Sequence, residues 1–295
     1  MFAEVATREL SAARRWTTLA VVSLASFLIL LATSSINVAL PSLVGDLSAS
    51  TRDLQWIVDG YNLTFASFVL AFGSLSDRYG RKGALLTGLA VFAVAAATGS
   101  RADGPGQLIA AQAVMGLGAA MIFPTTLSIL SNVFTERRER ARAIGIWGAV
   151  TGMGGSVGPL LGGGLLTGFW WGSILVALAV VATVIAVLVS LTIVTSRDPS
   201  TPRLDRPGLL LSVLAVGSLV YTVIEAPHRG WLAPATTAGF TVAALLLVAL
   251  THWELRTPQP MIDVRLFRNR RFSAASAAVA FAYFALFGFI VLGSI

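Results

Sequence analysis

Long apolar runs alternate with short polar gaps along the whole chain. Crossing a hydrocarbon layer of about 30 Å takes about 20 helical residues. Nine stretches are long enough: 16–40, 55–75, 83–99, 108–133, 143–169, 172–195, 208–224, 235–253 and 272–295. Backbone groups that face lipid must pair within their own segment, so each run is predicted to be a helix. The gaps carry the charge. Of the twenty-one Lys and Arg residues, eighteen fall in every second gap, while Arg52, Arg101 and Arg229 stand alone in the others. Short loops rich in Lys and Arg stay on the cytoplasmic side, which predicts an N-terminus inside. The two longest inside gaps, 196–207 and 255–271, bracket the seventh and eighth runs, which therefore read as a separable insert. The predicted division is a cytoplasmic segment at 1–15, a six-helix bundle at 16–195, loops with two linking helices at 196–271, and a further helix at 272–295.

Composition narrows the class. The chain is 56% hydrophobic and 12% charged, against about 25% charged in soluble proteins. Its net charge of +7 is spread over five small loops rather than gathered on one face. Nucleic-acid binding is therefore not expected, and contact with anionic lipid headgroups is. With no cysteine and two histidines, His228 and His252, both at helix ends, no metal site is expected. No phosphate-binding loop and no His-x-x-x-His pair occurs, so neither an enzyme nor a cofactor is expected. The first run is too long for a signal peptide and lacks an Ala-x-Ala cleavage site, so it is expected to stay as a spanning helix. Tryptophans 16, 56, 147, 170, 171, 231 and 253 lie near run ends and read as interfacial anchors. Glu225, just past the seventh run, reads as a solvated outer-loop acid.

Between the second and third runs the chain reads Gly73-Ser-Leu-Ser-Asp77-Arg78-Tyr-Gly80-Arg81-Lys82. The two glycines permit a tight turn close to a neighbouring helix. Asp77 is then placed to face an arginine or a helix N-terminus. This string resembles the signature loop of the major facilitator superfamily, and the resemblance implies a gating role for Gly73, Asp77, Arg78, Gly80 and Arg81. The fifth run holds Gly154-Gly-Ser-Val-Gly158-Pro159-Leu-Leu-Gly162-Gly163. Glycines four apart make a smooth helix face, and Pro159 removes a backbone donor and permits a bend. The string resembles the antiporter motif of the drug-efflux members, which implies that Gly154, Gly158, Pro159, Gly162 and Gly163 form an interface abutting the other half of a transporter.

The strings Ile36-Asn37-Val38-Ala39-Leu40-Pro41, Leu54 to Tyr61 and Gly116-Leu117-Gly118, with the two-helix insert, extend the resemblance to the fourteen-helix drug:proton antiporter branch. That resemblance implies an all-helical polytopic fold: a six-helix N-terminal bundle, two linking helices, and one helix of an incomplete C-terminal bundle. Because the sequence stops at Ile295 on an apolar helix, it is expected to be the N-terminal portion of a longer protein. The implied activity is efflux of amphipathic organic compounds across the inner membrane in exchange for protons. Three places depart from the branch: Ala32 stands for its aspartate, Gln112 for its arginine, and Leu178 with Val180 for its Asn-x-Pro. Charges inside a membrane usually serve coupling or substrate, so these replacements put the usual proton pair in question. Asn37, Asp59 and Gln112 are the candidate cavity or coupling residues. Asp59 is the leading protonatable carboxylate, with an interfacial cap beside Trp56 and Tyr61 as its other reading. Ser34, Ser35, Thr125 and Thr126 line the cavity or bond neighbouring helices, helix–helix bonding being the commoner role. Two alternatives stay open, a non-transporting half that pairs with itself or a partner, and a facilitator that moves a solute without protons.

Overall fold

The computed structural model describes residues 11–194, 205–258, 260 and 263–292. The N-terminal segment 1–10, the basic gap with Arg197 and Arg203, and the end at Ile295 lie outside the described residues. Nine α-helices follow one another, with no strand among the described residues: α1 (Ala12–Asp46), α2 (Thr51–Tyr79), α3 (Arg81–Gly99), α4 (Pro105–Val133), α5 (Arg137–Leu166), α6 (Gly172–Thr192), α7 (Arg206–Arg229), α8 (Pro234–Arg256) and α9 (Arg270–Leu292). A short 3-10 turn at Val264–Arg268 precedes α9.

Several helices outrun the apolar segments that predict them, because polar caps rather than hydropathy end them. Ser11 caps α1, which continues through Pro41 to Asp46. Ser50 and Asp53 cap α2 reciprocally, and the Ser50 hydroxyl is the main reason the Asp53 carboxyl is held below its ordinary pKa. Glu136 accepts from the amides of Arg138 and Glu139 at the start of α5, and those two bonds lower its pKa in turn. The seventh run is predicted to end at 224, yet α7 continues to Arg229 and stops only where Gly230 takes φ 92°, a backbone region natural to glycine.

Six helices form one bundle. α1 packs on α5, α4 and α6, α4 packs on α2 and α3, and α3 packs on α6, while α2 and α5 are not packed on each other. The core between them holds Leu28, Ile36, Phe92, Met115, Ile122 and Phe134. Small residues let the backbones approach: a Cβ on Gly118 would lie 2.8 Å from the Gly88 carbonyl oxygen. Large apolar side chains on the outer faces, such as Leu191 at 74% and Val248 at 67% exposure, have lipid as their natural solvent. Seven of the described helices, α1 and α3 to α8, are long and apolar enough to cross a membrane. In α2 the polar N-terminal half, with Gln55, Asp59 and Asn62, lowers the mean hydropathy. The hairpin of α7 and α8 is not loose, for α7 packs along α2 as well as on α8. α9 packs chiefly on the 3-10 turn before it.

Candidate functional site

The ten-residue string at 73–82 is not a loop. Residues 73–79 complete α2, Arg81 opens α3, and Gly80, with φ 114°, is the single joint between them. Gly73 lies against α4, where an added Cβ would meet the Pro124 side chain at 3.3 Å. Asp77 accepts a hydrogen bond from Arg81 Nε at 2.9 Å and another from the Ser128 hydroxyl of α4. One carboxylate thus ties together the ends of α2, α3 and α4. Arg81 is well covered, with its side chain 11% exposed. The Arg78 guanidinium lies over the Tyr79 ring, and Lys82 Nζ caps α6 by donating to the Ser190 carbonyl at 2.7 Å. Ser128, the α4 partner of Asp77, carries no sequence signal of its own.

The glycines of α5 split into two rows. An added Cβ on Gly154 would lie 2.9 Å from Leu31 N, on Gly158 2.9 Å from Ser35 N, and on Gly162 2.9 Å from the Ser35 carbonyl oxygen. These three seat α5 on α1, and the Ser34 hydroxyl donates to the Gly154 carbonyl across the seam at 3.1 Å. The expected interface with another half therefore needs correcting for this row, which is spent inside the bundle. Gly152, Gly155 and Gly163 meet nothing within 4 Å, and Pro159 is exposed beside them. That second row is the open one.

The three cavity candidates are not brought together. Asn37 is exposed on α1, whereas Asp59 is half-buried on α2, beside Gln55 and Asn62. Gln112 is 3% exposed on α4, and its Oε1 has no hydrogen-bond partner. Ala32 is fully packed. Thr125 and Ser35 bond their own helix backbones, whereas Ser34 and Thr126 reach neighbouring helices.

Two polar clusters escape a reading by local pattern. In the first, Trp147 is no interfacial anchor. It is 7% exposed and donates its indole N–H to Ser26 Oγ at 2.8 Å. Ser26 Oγ lies 2.8 Å from Thr126 Oγ1, and Thr126 donates to the Phe123 carbonyl at 2.7 Å. With both hydroxyl protons so assigned, every member of this buried chain linking α5, α1 and α4 is satisfied. The Trp147 ring also faces Phe123, which meets Phe65 of α2 edge-on. Replacing Trp147 with phenylalanine removes one donor and leaves a void where the larger ring lay, so a loss of about 2 kcal/mol or more, read as a lowered melting temperature of the purified protein, is expected. In the second cluster, Glu225 is 2% exposed, and the solvated-loop expectation is corrected. The apolar run ends before it, but the helix does not. The signals were Arg229 one turn on and Arg52, two of the three cations that stand alone in their gaps.

A bundle of apolar helices, a carboxylate tying three helix ends, and a glycine-lined helix with one face to spare define a multi-pass membrane protein. A family model described as Major Facilitator Superfamily matches residues 22–295, and the chain belongs to that family. It is 37% identical over 254 residues to the methylenomycin A resistance protein of Bacillus subtilis, covering 86% of this chain and 54% of the relative. To the multidrug resistance protein Stp of Mycobacterium tuberculosis it is 34% identical, covering 93% and 51%. To the multidrug efflux pump LfrA of Mycolicibacterium smegmatis it is 35% identical, covering 94% and 55%. The chain spans about half the length of the curated relatives it matches. Among solved structures, the crystal structure of the peptide transporter POT in complex with sulfate superposes with a TM-score of 0.61 at 16% identity, covering 82% of this chain and 53% of that one. That likeness concerns the fold.

Proposed function

We propose that this chain is the N-terminal portion of an inner-membrane efflux transporter that exports amphipathic organic compounds in exchange for protons. The observation that carries the reading is the pair of smooth faces on α5. One is consumed by α1, and the other, with Gly152, Gly155, Pro159 and Gly163, lies open for a second body to rock against. The resistance and efflux proteins it resembles support the same assignment. In this reading the basic loops and the N-terminus are cytoplasmic, residues 16–195 form one moving bundle, and residues from 272 begin the next. Asp77, with Arg81 and Ser128, latches the cytoplasmic end. Asn37 and Asp59 border the substrate path, with Asp59 as the acid that takes and gives the proton, while Gln112 lies in the packed core. No metal, nucleotide or other cofactor has a role in it.

The assay is dye efflux from cells producing the whole transporter of which this chain is proposed to be the N-terminal portion, with and without an ionophore that collapses the proton gradient. Native protein should lower dye retention only while the gradient stands, and Asp59→Asn should abolish gradient dependence at unchanged protein amount. Equal retention with and without the protein would remove the assignment. A facilitator is the second reading, favoured by the neutral Gln112 and Ala32, and dye movement indifferent to the ionophore would select it.

A further inference from the structure

The linking hairpin meets the bundle at a built polar site. Glu225 on α7 is buried, and a buried carboxylate is tolerable only when neutralised and hydrogen-bonded. Three donors do this: Arg52 Nη2 at 3.2 Å and Trp56 Nε1 at 3.2 Å from α2, and Arg229 Nε at 2.8 Å from the next turn of α7. Arg229 is held in turn by donating to the Tyr221 hydroxyl at 2.9 Å. Beside this group Gln55 donates from Nε2 to the Ile224 carbonyl at 3.1 Å, and its Oε1 meets His228. About two turns further along α7 the helices close again at Gly217, where an added Cβ would lie 3.6 Å from Ser67 Cβ.

A tether between two moving halves needs only reach and polarity. This one instead carries a buried ion cluster, and breaking such a cluster on one side leaves an uncompensated charge. We propose that α7 and α8 are a fixed brace of the six-helix bundle, keyed at Glu225, and travel with it as one body. The brace also holds the outer turns of α2 that carry Asp59, a consequence that rests on the transport reading above.

The cysteine-free sequence makes the test clean. A Cβ separation of 3.6 Å at Ser67 and Gly217 matches disulfide geometry, so the double variant Ser67→Cys with Gly217→Cys should cross-link under a membrane-permeant oxidant. Adding Glu225→Ala should lower the rate of cross-linking by about tenfold or more, while Glu225→Gln, which keeps an acceptor for Trp56 and the arginines, should fall between. An unchanged rate in Glu225→Ala would overturn Glu225 as the key. In efflux, oxidation of the double variant should leave the rate within about twofold of the reduced form, and oxidation of the triple variant, which also carries Glu225→Ala, should restore the rate that Glu225→Ala alone loses. If oxidation instead blocks efflux reversibly, α7 slides on α2 and the brace is wrong. Should the native protein move no dye at all, the transport reading fails, and the cross-linking rates still decide the brace.

Discussion

Replacing Gly158 with leucine is expected to part α5 from α1 and to leave efflux below about a tenth of the native rate, with little folded protein recovered. The side chain has nowhere to go. A Cβ there would strike the Ser34 side chain and lie 2.9 Å from the backbone nitrogen of Ser35, and backbone inside a helix does not step aside as a flexible side chain does. Overpacking of this kind costs about 1–3 kcal/mol in soluble cores and occasionally more. The seam would also lose the bond from Ser34 to the Gly154 carbonyl. Gly155→Ala is the control. Its Cβ meets nothing within 4 Å, so the inserted amount should match the native protein. Size-exclusion profiles of the three purified proteins, set beside their efflux rates, check both statements, and a monodisperse Gly158→Leu protein would refute the close seam.

Asp77→Asn is expected to act in the opposite manner, sparing the fold and removing the activity. The carboxylate is 39% exposed in its pair with Arg81, and screened pairs of that kind add little to stability. The asparagine can still accept from Ser128, so α2 and α4 stay joined, but Arg81 loses its charge-assisted partner. Inserted protein should therefore stay within about twofold of native while efflux falls about tenfold or more. Quantitative blotting with dye efflux in the same cells separates the two effects, and native efflux from Asp77→Asn would remove the latch.

The order of the helices was legible in the sequence because membrane insertion writes two signals directly into it, apolar length and loop charge. Their ends were less so. Pro41 looks like a terminus, yet α1 runs on to Asp46, and the apolar stretch before Glu225 stops short of the cap at Gly230. Close packing at Gly154, Gly158 and Gly162 could be foreseen from spacing. Its partner could not, since a period of four states that some helix comes near without stating which. Trp147 misleads for the same reason: tryptophan near the end of a run suits an interface, and only the arrival of Ser26 and Thr126 from two distant helices makes it a buried donor. The site was legible where one local string carries it, as at Asp77, and hidden where two helices far apart in sequence meet, as at Arg52 and Glu225.

The most direct test of the efflux account is substrate-driven proton movement through the purified protein in sealed vesicles carrying an internal pH-sensitive dye. Adding a transported amphipathic cation to native protein should move protons across the vesicle membrane in the opposite direction, and the response should vanish with Asp59→Asn. Substrate moving with no proton signal, or no movement of either, would contradict exchange.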